Sequence, residues 1–497
     1  MLPQKLTSPK TILFLILLLA FLLRTYQLSP YLQFLGDEGR DVLVVKRMIV
    51  DHNWTLLGPS ASVGGFYIGP LYYYFMIPFL ALSKLDPVGP AVMSVIFGIG
   101  AVFLAHFFAK RFWSEKVALL CALLVALSPK MVYISRFSWN PNPTPFFALL
   151  TILFVYLSTK RNRVLMSLLC GISLGIMQEL HYTNLIFGPI VGLSVLLLFP
   201  LRLAITNLAL IFVGFLLGNS PYLLFEIRHG FPNIHSVLEF TTRGSGAVIS
   251  PRSLNFLWLF NDILRRVFET VFAFSGQALD LFYYTSLAGF TFWAVKAARR
   301  KLSRPRVIIL ASWIFIGVLG IGSYRGQLLD HYFGFLFPIP FLMLAAAVGS
   351  VIFRKALILP VAIALAILVA LEINNLYFWQ PPNNLVKQTQ EIARIVLRMA
   401  QERPYNFALL TLGNSDHAYR YFLEIWGKPP VVIENPQNDP ERKTVTDQLL
   451  VVCEGSDCKP LGHPLWEVAG FGQGEIVERE VGPAGIIIYK LIHYKGS

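Results

Sequence analysis

Charge is scarce in this chain. Only 14% of its 497 residues are Asp, Glu, Lys or Arg, while 55% are apolar; soluble domains typically carry about 25% charged residues. One aqueous core cannot absorb that much apolar surface, so lipid is the expected solvent and a multi-pass membrane protein the expected class. Cysteine is scarcer still, and four residues exclude a disulfide framework. Cys121 and Cys170 lie in apolar runs and read as small core residues. Cys453 and Cys458, in VVCEGSDCKP, suit a small disulfide loop if that region lies outside the cytoplasm. A zinc site is the weaker alternative, because four convincing ligands are not in sight. Also missing are an internal repeat, a low-complexity tract and a small-residue cleavage site after TILFLILLLAFLL, so that run reads as a retained first span and not a signal peptide. No basic RNA- or DNA-binding module is visible. The formal charge of +14 therefore points to loops that orient the chain and to anionic lipid, not to nucleic acid.

What the sequence does have is apolar runs near 11–28, 66–84, 88–109, 117–135, 144–158, 164–182, 184–199, 203–225, 270–295, 307–323, 329–351 and 356–373. If 66–84, bent by Gly69, Pro70 and Pro78, does not cross fully, about eleven spans start inside and end outside. Fifteen basic residues, from Lys110 and Arg111 through Arg354 and Lys355, then fall in cytoplasmic loops, as the positive-inside rule requires. The N-terminus is then cytoplasmic. The first loop 29–65, the SRFSWNPNP loop, the QELHYTN turn and the loop 227–266 gather on the outer face. After about residue 375 the pattern changes. NNLVKQTQEIARIVLRMAQE has helical periodicity, and FALLTL, PVVIE, QLLVVCE and GIIIYKLIHY read as strands. The expected fold is an α-helical polytopic membrane domain, 1–375, with a small extracytoplasmic α/β domain, 376–497.

The candidate chemistry collects at span ends. Gly36-Asp37-Glu38-Gly39-Arg40-Asp41 follows the first span, and acidic residues so close to lipid need a reason. They are either a solvated loop cluster or carboxylates held at the membrane surface to take a proton or position a substrate. The adjoining DVLVVKRMIVDH is amphipathic and suits the interface. Tyr72, Tyr73 and Tyr74 fit an interfacial belt, or rings against a lipid-linked sugar. Arg136, before Trp139, Asn140 and a proline run, suits a phosphate contact or an ion pair with Asp37 or Glu38. Glu179 ends an apolar span and should face protein or an aqueous cavity; His181, Tyr182 and Asn184 adjoin it. Arg325, His331 and Tyr332 stand at the outer end of a late span, as anchors or as a cradle for a lipid phosphate.

In order and spacing, the acidic pair, GPLYYY, SR…NPxPTPFF and QELHYT resemble the bacterial relatives of the dolichyl-phosphate-mannose–protein mannosyltransferases, glycosyltransferase family 39. Their fold, the glycosyltransferase C fold, is also found in aminoarabinose and Rgt-type sugar transferases. The resemblance covers roughly residues 10–375. It implies a polyprenyl-phosphate sugar donor, a glycan, lipid or protein acceptor, and inverting transfer outside the cytoplasm at the plasma (inner) membrane. It makes Asp37 the catalytic base and matches Glu38 to the family's second acidic position, so both are expected to be catalytic. Arg136, Arg325, His331 and Tyr332 are expected at the donor phosphate. Arg40, Tyr72, Tyr73, Asn140, Glu179, His181, Tyr182 and Asn184 are expected in the substrate pocket. Neither a metal nor another cofactor is required. The competing function is a transporter or flippase for lipid-linked saccharides, for which paired repeats and midplane charges would be expected.

Overall fold

The computed structural model describes residues 8–61, 64–243, 256–300, 303–324, 326–351, 355–455 and 458–494. Its helices are α1 (Pro9–Thr25), α2 (Gly36–Val50), α3 (Leu71–Leu82), α4 (Val88–Phe112), α5 (Glu115–Leu127), α6 (Pro129–Ile134), α7 (Thr144–Ser158), α8 (Arg163–Leu180), α9 (Phe187–Leu198) and α10 (Leu201–Gly218). There follow α11 (Ser220–His229), α12 (Pro232–Arg243), α13 (Phe256–Phe272), α14 (Gln277–Ala298), α15 (Arg304–Gly322), α16 (Pro338–Val351), α17 (Lys355–Asn374), α18 (Leu385–Ala400), α19 (His417–Ile425) and α20 (Trp466–Ala469). The strands are β1 (Asn406–Leu410), β2 (Gln448–Cys453), β3 (Gly474–Val481) and β4 (Ile487–His493).

The protein is a multi-pass membrane protein. Among the described residues five helices are long and apolar enough to cross a bilayer, or six if the bent pair Asp330–Leu336 and Pro338–Ser350 is one span. α1, with 17 residues, and α7, with 15, fall just below that length, so helix length alone does not set the number of crossings. α3 has 12 residues, about 18 Å at 1.5 Å per residue, against a hydrocarbon core of about 30 Å.

Two compact units emerge. The first is Met1–Tyr26, Thr55–Phe75 and Val92–Pro381; the second is Gln27–Trp54, Met76–Ala91 and Pro382–Ser497. The second unit thus joins the C-terminal segment from Pro382 to two early segments.

In the first unit α8 and α10 meet through glycines four apart. A Cβ at Gly171 would stand 2.0 Å from the Ile211 carbonyl, and one at Gly218 would stand 2.3 Å from that of Ile172. Such small-residue faces let helix backbones approach where lipid gives no hydrophobic drive. The described residues of the expected loop 227–266 are largely helical, in the end of α11, in α12 and in the first part of α13. In α13 Leu259, Ile263, Leu264, Val267, Phe268, Val271 and Phe272 are buried at helical spacing. Asn261, Asp262, Arg265, Arg266 and Glu269 interrupt the apolar run, which hides the helix from a hydropathy reading.

In the second unit the sheet order is β1-β2-β4-β3, with β1 and β2 parallel and the other pairs antiparallel. β1 and β2 are buried along their whole length, as expected of apolar strands covered on both faces. PVVIE forms no strand. β3, GEIVEREV, is a charged edge strand, a form that discourages further pairing. Cys453 and Cys458 are disulfide-bonded.

α2 packs on α19. Its apolar face, expected to lie along the membrane interface, is spent inside this unit: Val42, Leu43, Val45 and Met48 are all buried. Glu424 of α19 accepts from Lys46 at 3.1 Å and from Arg47 at 2.9 Å. The glycines of GDEG allow the contact. A Cβ at Gly39 would stand 2.3 Å from the Ala418 nitrogen and 2.4 Å from its Cα. Those obstacles are backbone and cannot rotate away. Gly39→Val is expected to cost about 1–3 kcal/mol through overpacking, read as a lower unfolding midpoint of the purified chain; an unchanged midpoint would contradict the packing.

Candidate active site

In the second unit the first turn of α2 is anchored twice. A helix start leaves backbone N–H groups open. Glu38 reaches back so that Leu35 N–H donates to its Oε2 at 3.0 Å, the reciprocal half of a capping box. Gly36 N–H donates to Asn414 Oδ1 at 2.8 Å. Asp37 stands on this fixed turn with its side chain 54% exposed, and Arg40 pairs with it at 2.9 Å. The Arg40 guanidinium also holds the buried Asp41 at 2.8 Å. His417, at the start of α19, accepts from or donates to Ser415 Oγ at 2.7 Å. Burial holds its imidazole below the ordinary range; Asp416 and Asp37 pull it up, while Arg40 and Arg420 push it down. Neither Asn414 nor His417 was picked out from the sequence. The polar run Asn414-Ser415-Asp416-His417 directly after a strand was the available signal.

The two acidic neighbours differ sharply. Burial pushes the Glu38 carboxyl from its ordinary 4.5 up to about 7, with Asp37 and Asp41 adding to the rise and the backbone N–H groups opposing it. Between those values the folded chain keeps a proton that the unfolded chain has released. Stability therefore falls as pH rises from about 4.5 to about 7 and levels off above, a loss of about 3 kcal/mol at most. Glu38→Gln should remove that slope: the difference in unfolding midpoint between variant and parent is expected to favour the variant increasingly from pH 5 to pH 7. A pH-independent difference would contradict the buried acid.

In the first unit a cluster of rings forms around the 3-10 turn Asp330–Leu336. His331 lies 4.6 Å from Trp139, 4.6 Å from Tyr332 and 5.2 Å from His181, centroid to centroid, and His181 lies 5.3 Å from Tyr332. The structure thus brings His181, His331 and Tyr332 together from two distant segments. It adds Trp139, and Lys130 paired with Asp330 at 3.2 Å. Arg266 of α13 donates to the Leu328 carbonyl at 2.7 Å and steadies the approach to the turn.

Other expected pocket residues are built into the scaffold. Glu179 is fully buried and accepts from Leu71 N–H at 2.9 Å, so it serves the N-terminus of α3; Gly69 lies so close that a Cβ there would meet the carboxylate at 2.3 Å. Tyr182 donates to the Tyr67 carbonyl at 2.5 Å and shares a hydrogen bond with Tyr222 at 2.9 Å. Asn140 donates to the Leu180 carbonyl, and Asn184 to the Met177 carbonyl and Thr144 Oγ1. Tyr72 is buried with its hydroxyl on Ser138 Oγ, and Tyr73 is buried.

Arg136, expected at the donor phosphate, also has contacts within the scaffold. It is buried, and its guanidinium donates to the carbonyls of Leu23, Arg24 and Tyr26 while lying over the Tyr377 ring. Those contacts brace the end of α1. Arg325 lies outside the described residues.

Residues 68–225 match the family model described as dolichyl-phosphate-mannose-protein mannosyltransferase. No curated protein matches the chain. Among solved structures, ArnT from Cupriavidus metallidurans bound to undecaprenyl phosphate is similar at 14% identity and a TM-score of 0.62, over 96% of this chain and 97% of that one. The apo oligosaccharyltransferase of Archaeoglobus fulgidus is similar at 14% identity and a TM-score of 0.53, over 98% of this chain and 74% of that one. The chain therefore shares the fold of these two structures, and within it residues 68–225 match the dolichyl-phosphate-mannose-protein mannosyltransferase model.

Proposed function

We propose that this chain is an inverting glycosyltransferase that moves a sugar from a polyprenyl phosphate to a hydroxyl acceptor at the outer face of the plasma membrane. The observation that carries the reading is Asp37: a half-exposed carboxylate on a turn fixed by two backbone anchors. The undecaprenyl phosphate in the similar ArnT structure supports a polyprenyl-linked donor. The chemistry is then short. Asp37 takes the proton of the acceptor hydroxyl. The oxygen attacks the anomeric carbon from the face opposite the phosphate, the new glycosidic bond forms with inversion, and the bond to the phosphate breaks. Polyprenyl phosphate leaves as a stable anion and needs no general acid. His331, Tyr332 and Arg325 are the groups proposed for the donor's phosphate, offsetting its charge as it leaves. Arg40 is proposed to keep Asp37 aimed. A cytoplasmic N-terminus, about eleven spans and a second unit outside the cytoplasm belong to the same proposal. The Cys453–Cys458 disulfide supports an oxidising location for that unit.

The test is purified protein in proteoliposomes, offered a panel of polyprenyl-phosphate sugars and extracted envelope acceptors. Expected products are free polyprenyl phosphate and a glycosylated acceptor of inverted anomeric configuration, read by mass spectrometry and NMR. Movement of lipid-linked sugar between leaflets with no glycosidic bond formed would establish the flippase instead.

A further inference from the structure

The second unit contains a cavity of about 940 Å³ that the acidic turn borders but does not explain. It opens where β1 and β2, the parallel pair, end: Leu410 to Asn414 continue β1, and Glu454 and Gly455 follow β2. Open α/β sheets take ligands at the carboxyl ends of parallel strands. The volume lies at the upper end of the range for small-molecule sites, about 300–1,000 Å³.

The lining has one fixed polar centre. The Glu454 carboxylate accepts from Asn414 Nδ2 at 3.0 Å and from Tyr419 Oη at 2.8 Å. A carboxylate offers about four lone-pair sites, so capacity remains for a ligand hydroxyl. Lys459 and His463 line the same space, and Phe34, Leu385, Ile392 and Ile486 supply an apolar wall. Among the described residues, one anchored carboxylate, one lysine and one histidine line the site, a nearly balanced set ill-suited to a polyanion. Hydroxyls on the polar centre with C–H faces on the wall is the pattern a saccharide needs.

We propose that this cavity holds the saccharide part of the acceptor. The inference rests on the glycosyltransferase reading and adds the acceptor's class to it. Asn414 connects the cavity with the proposed chemistry. Its Nδ2 serves Glu454 inside the cavity, while its Oδ1 receives Gly36 N–H, beside Asp37. A ligand that engages Glu454 thus bears on the residue that anchors the turn of the base.

The test is binding, not turnover, on the full chain in nanodiscs with neutral oligosaccharides of mannose, glucose and galactose as probes. Saturation-transfer NMR should detect at least one bound oligosaccharide, weakened about tenfold or more by Glu454→Gln, the loss expected for a hydrogen bond to a charged group. A second readout avoids the polar centre. Leu412 is exposed at the rim, and the free thiols Cys121 and Cys170 are buried. In Leu412→Cys the introduced thiol should be alkylated by maleimide, and the same oligosaccharide should slow that reaction. Binding of none of the probes, or binding that neither Glu454→Gln weakens nor the rim thiol senses, would overturn the proposal. Binding at this cavity by a chain that makes no glycosidic bond would keep the cavity and remove the transferase reading. Transfer without binding here would do the reverse.

Discussion

Asp37→Asn is expected to lower sugar transfer by about 10²–10⁴-fold, the usual contribution of a positioned general base, while leaving the chain folded. Both halves follow from the geometry. Asparagine has nearly the shape of aspartate but cannot take a proton at neutral pH. The turn does not depend on the Asp37 carboxylate: Leu35 and Gly36 N–H groups are held by Glu38 and Asn414, and Arg40 keeps its contact with Asp41. The remaining cost is one charge at a helix N-terminus, about 0.3–1 kcal/mol at an exposed position. Initial rates with labelled donor and the unfolding midpoint should be measured on the same preparation. Near-normal turnover would remove Asp37 from the mechanism. Loss of activity with a collapsed midpoint would make it a structural residue.

Much of the molecule was legible because periodicity and apolarity are local signals. The long apolar helices α4, α8, α10, α15 and α17, together with α18, β1, β2 and β4, follow from them. What was hidden is non-local. Nothing in DVLVVKRMIVDH says that its apolar face meets α19, far along the chain, and not lipid; both partners reward the same pattern. The glycines of GDEG look like loop residues until the Ala418 backbone lies against them. β3 was missed because an edge strand that carries Glu475, Glu478, Arg479 and Glu480 lacks the apolar alternation that marks an inner strand. In the candidate site the acidic pair was visible, but not its asymmetry. Asp37 and Glu38 are adjacent acids in sequence; only the fold makes one a half-exposed carboxylate and the other a buried cap. Arg136 shows the same limit, since a carbonyl and a phosphate draw the same donors from a guanidinium.

That ambiguity yields the second large effect: Arg136→Met is expected to destabilise the protein by about 2–4 kcal/mol. The last carbonyls of a helix have no partner within it, and at the end of α1 Arg136 meets them. Arg136 supplies donors to Leu23, Arg24 and Tyr26 at 3.1, 2.7 and 2.9 Å, where the helix pole is negative. Arg24 in turn donates to the carbonyls of Val125 and Ala126, the open end of α5, at 3.4 and 3.1 Å. Two buried arginines thus close two helix ends in series. Each hydrogen bond to a charged group is worth about 1.5–3 kcal/mol, and the effects do not add fully. Tyr377 still donates to the Leu23 and Tyr26 carbonyls, so the variant keeps part of the closure. Methionine fills similar volume without donors. Lysine keeps the charge but loses the planar fork and should recover only part of the stability. The measurement is the unfolding midpoint in detergent for parent, Arg136→Met and Arg136→Lys, beside donor affinity. A midpoint highest in the parent, intermediate in Arg136→Lys and lowest in Arg136→Met fits the brace. An unchanged midpoint with weakened donor binding would return Arg136 to the phosphate.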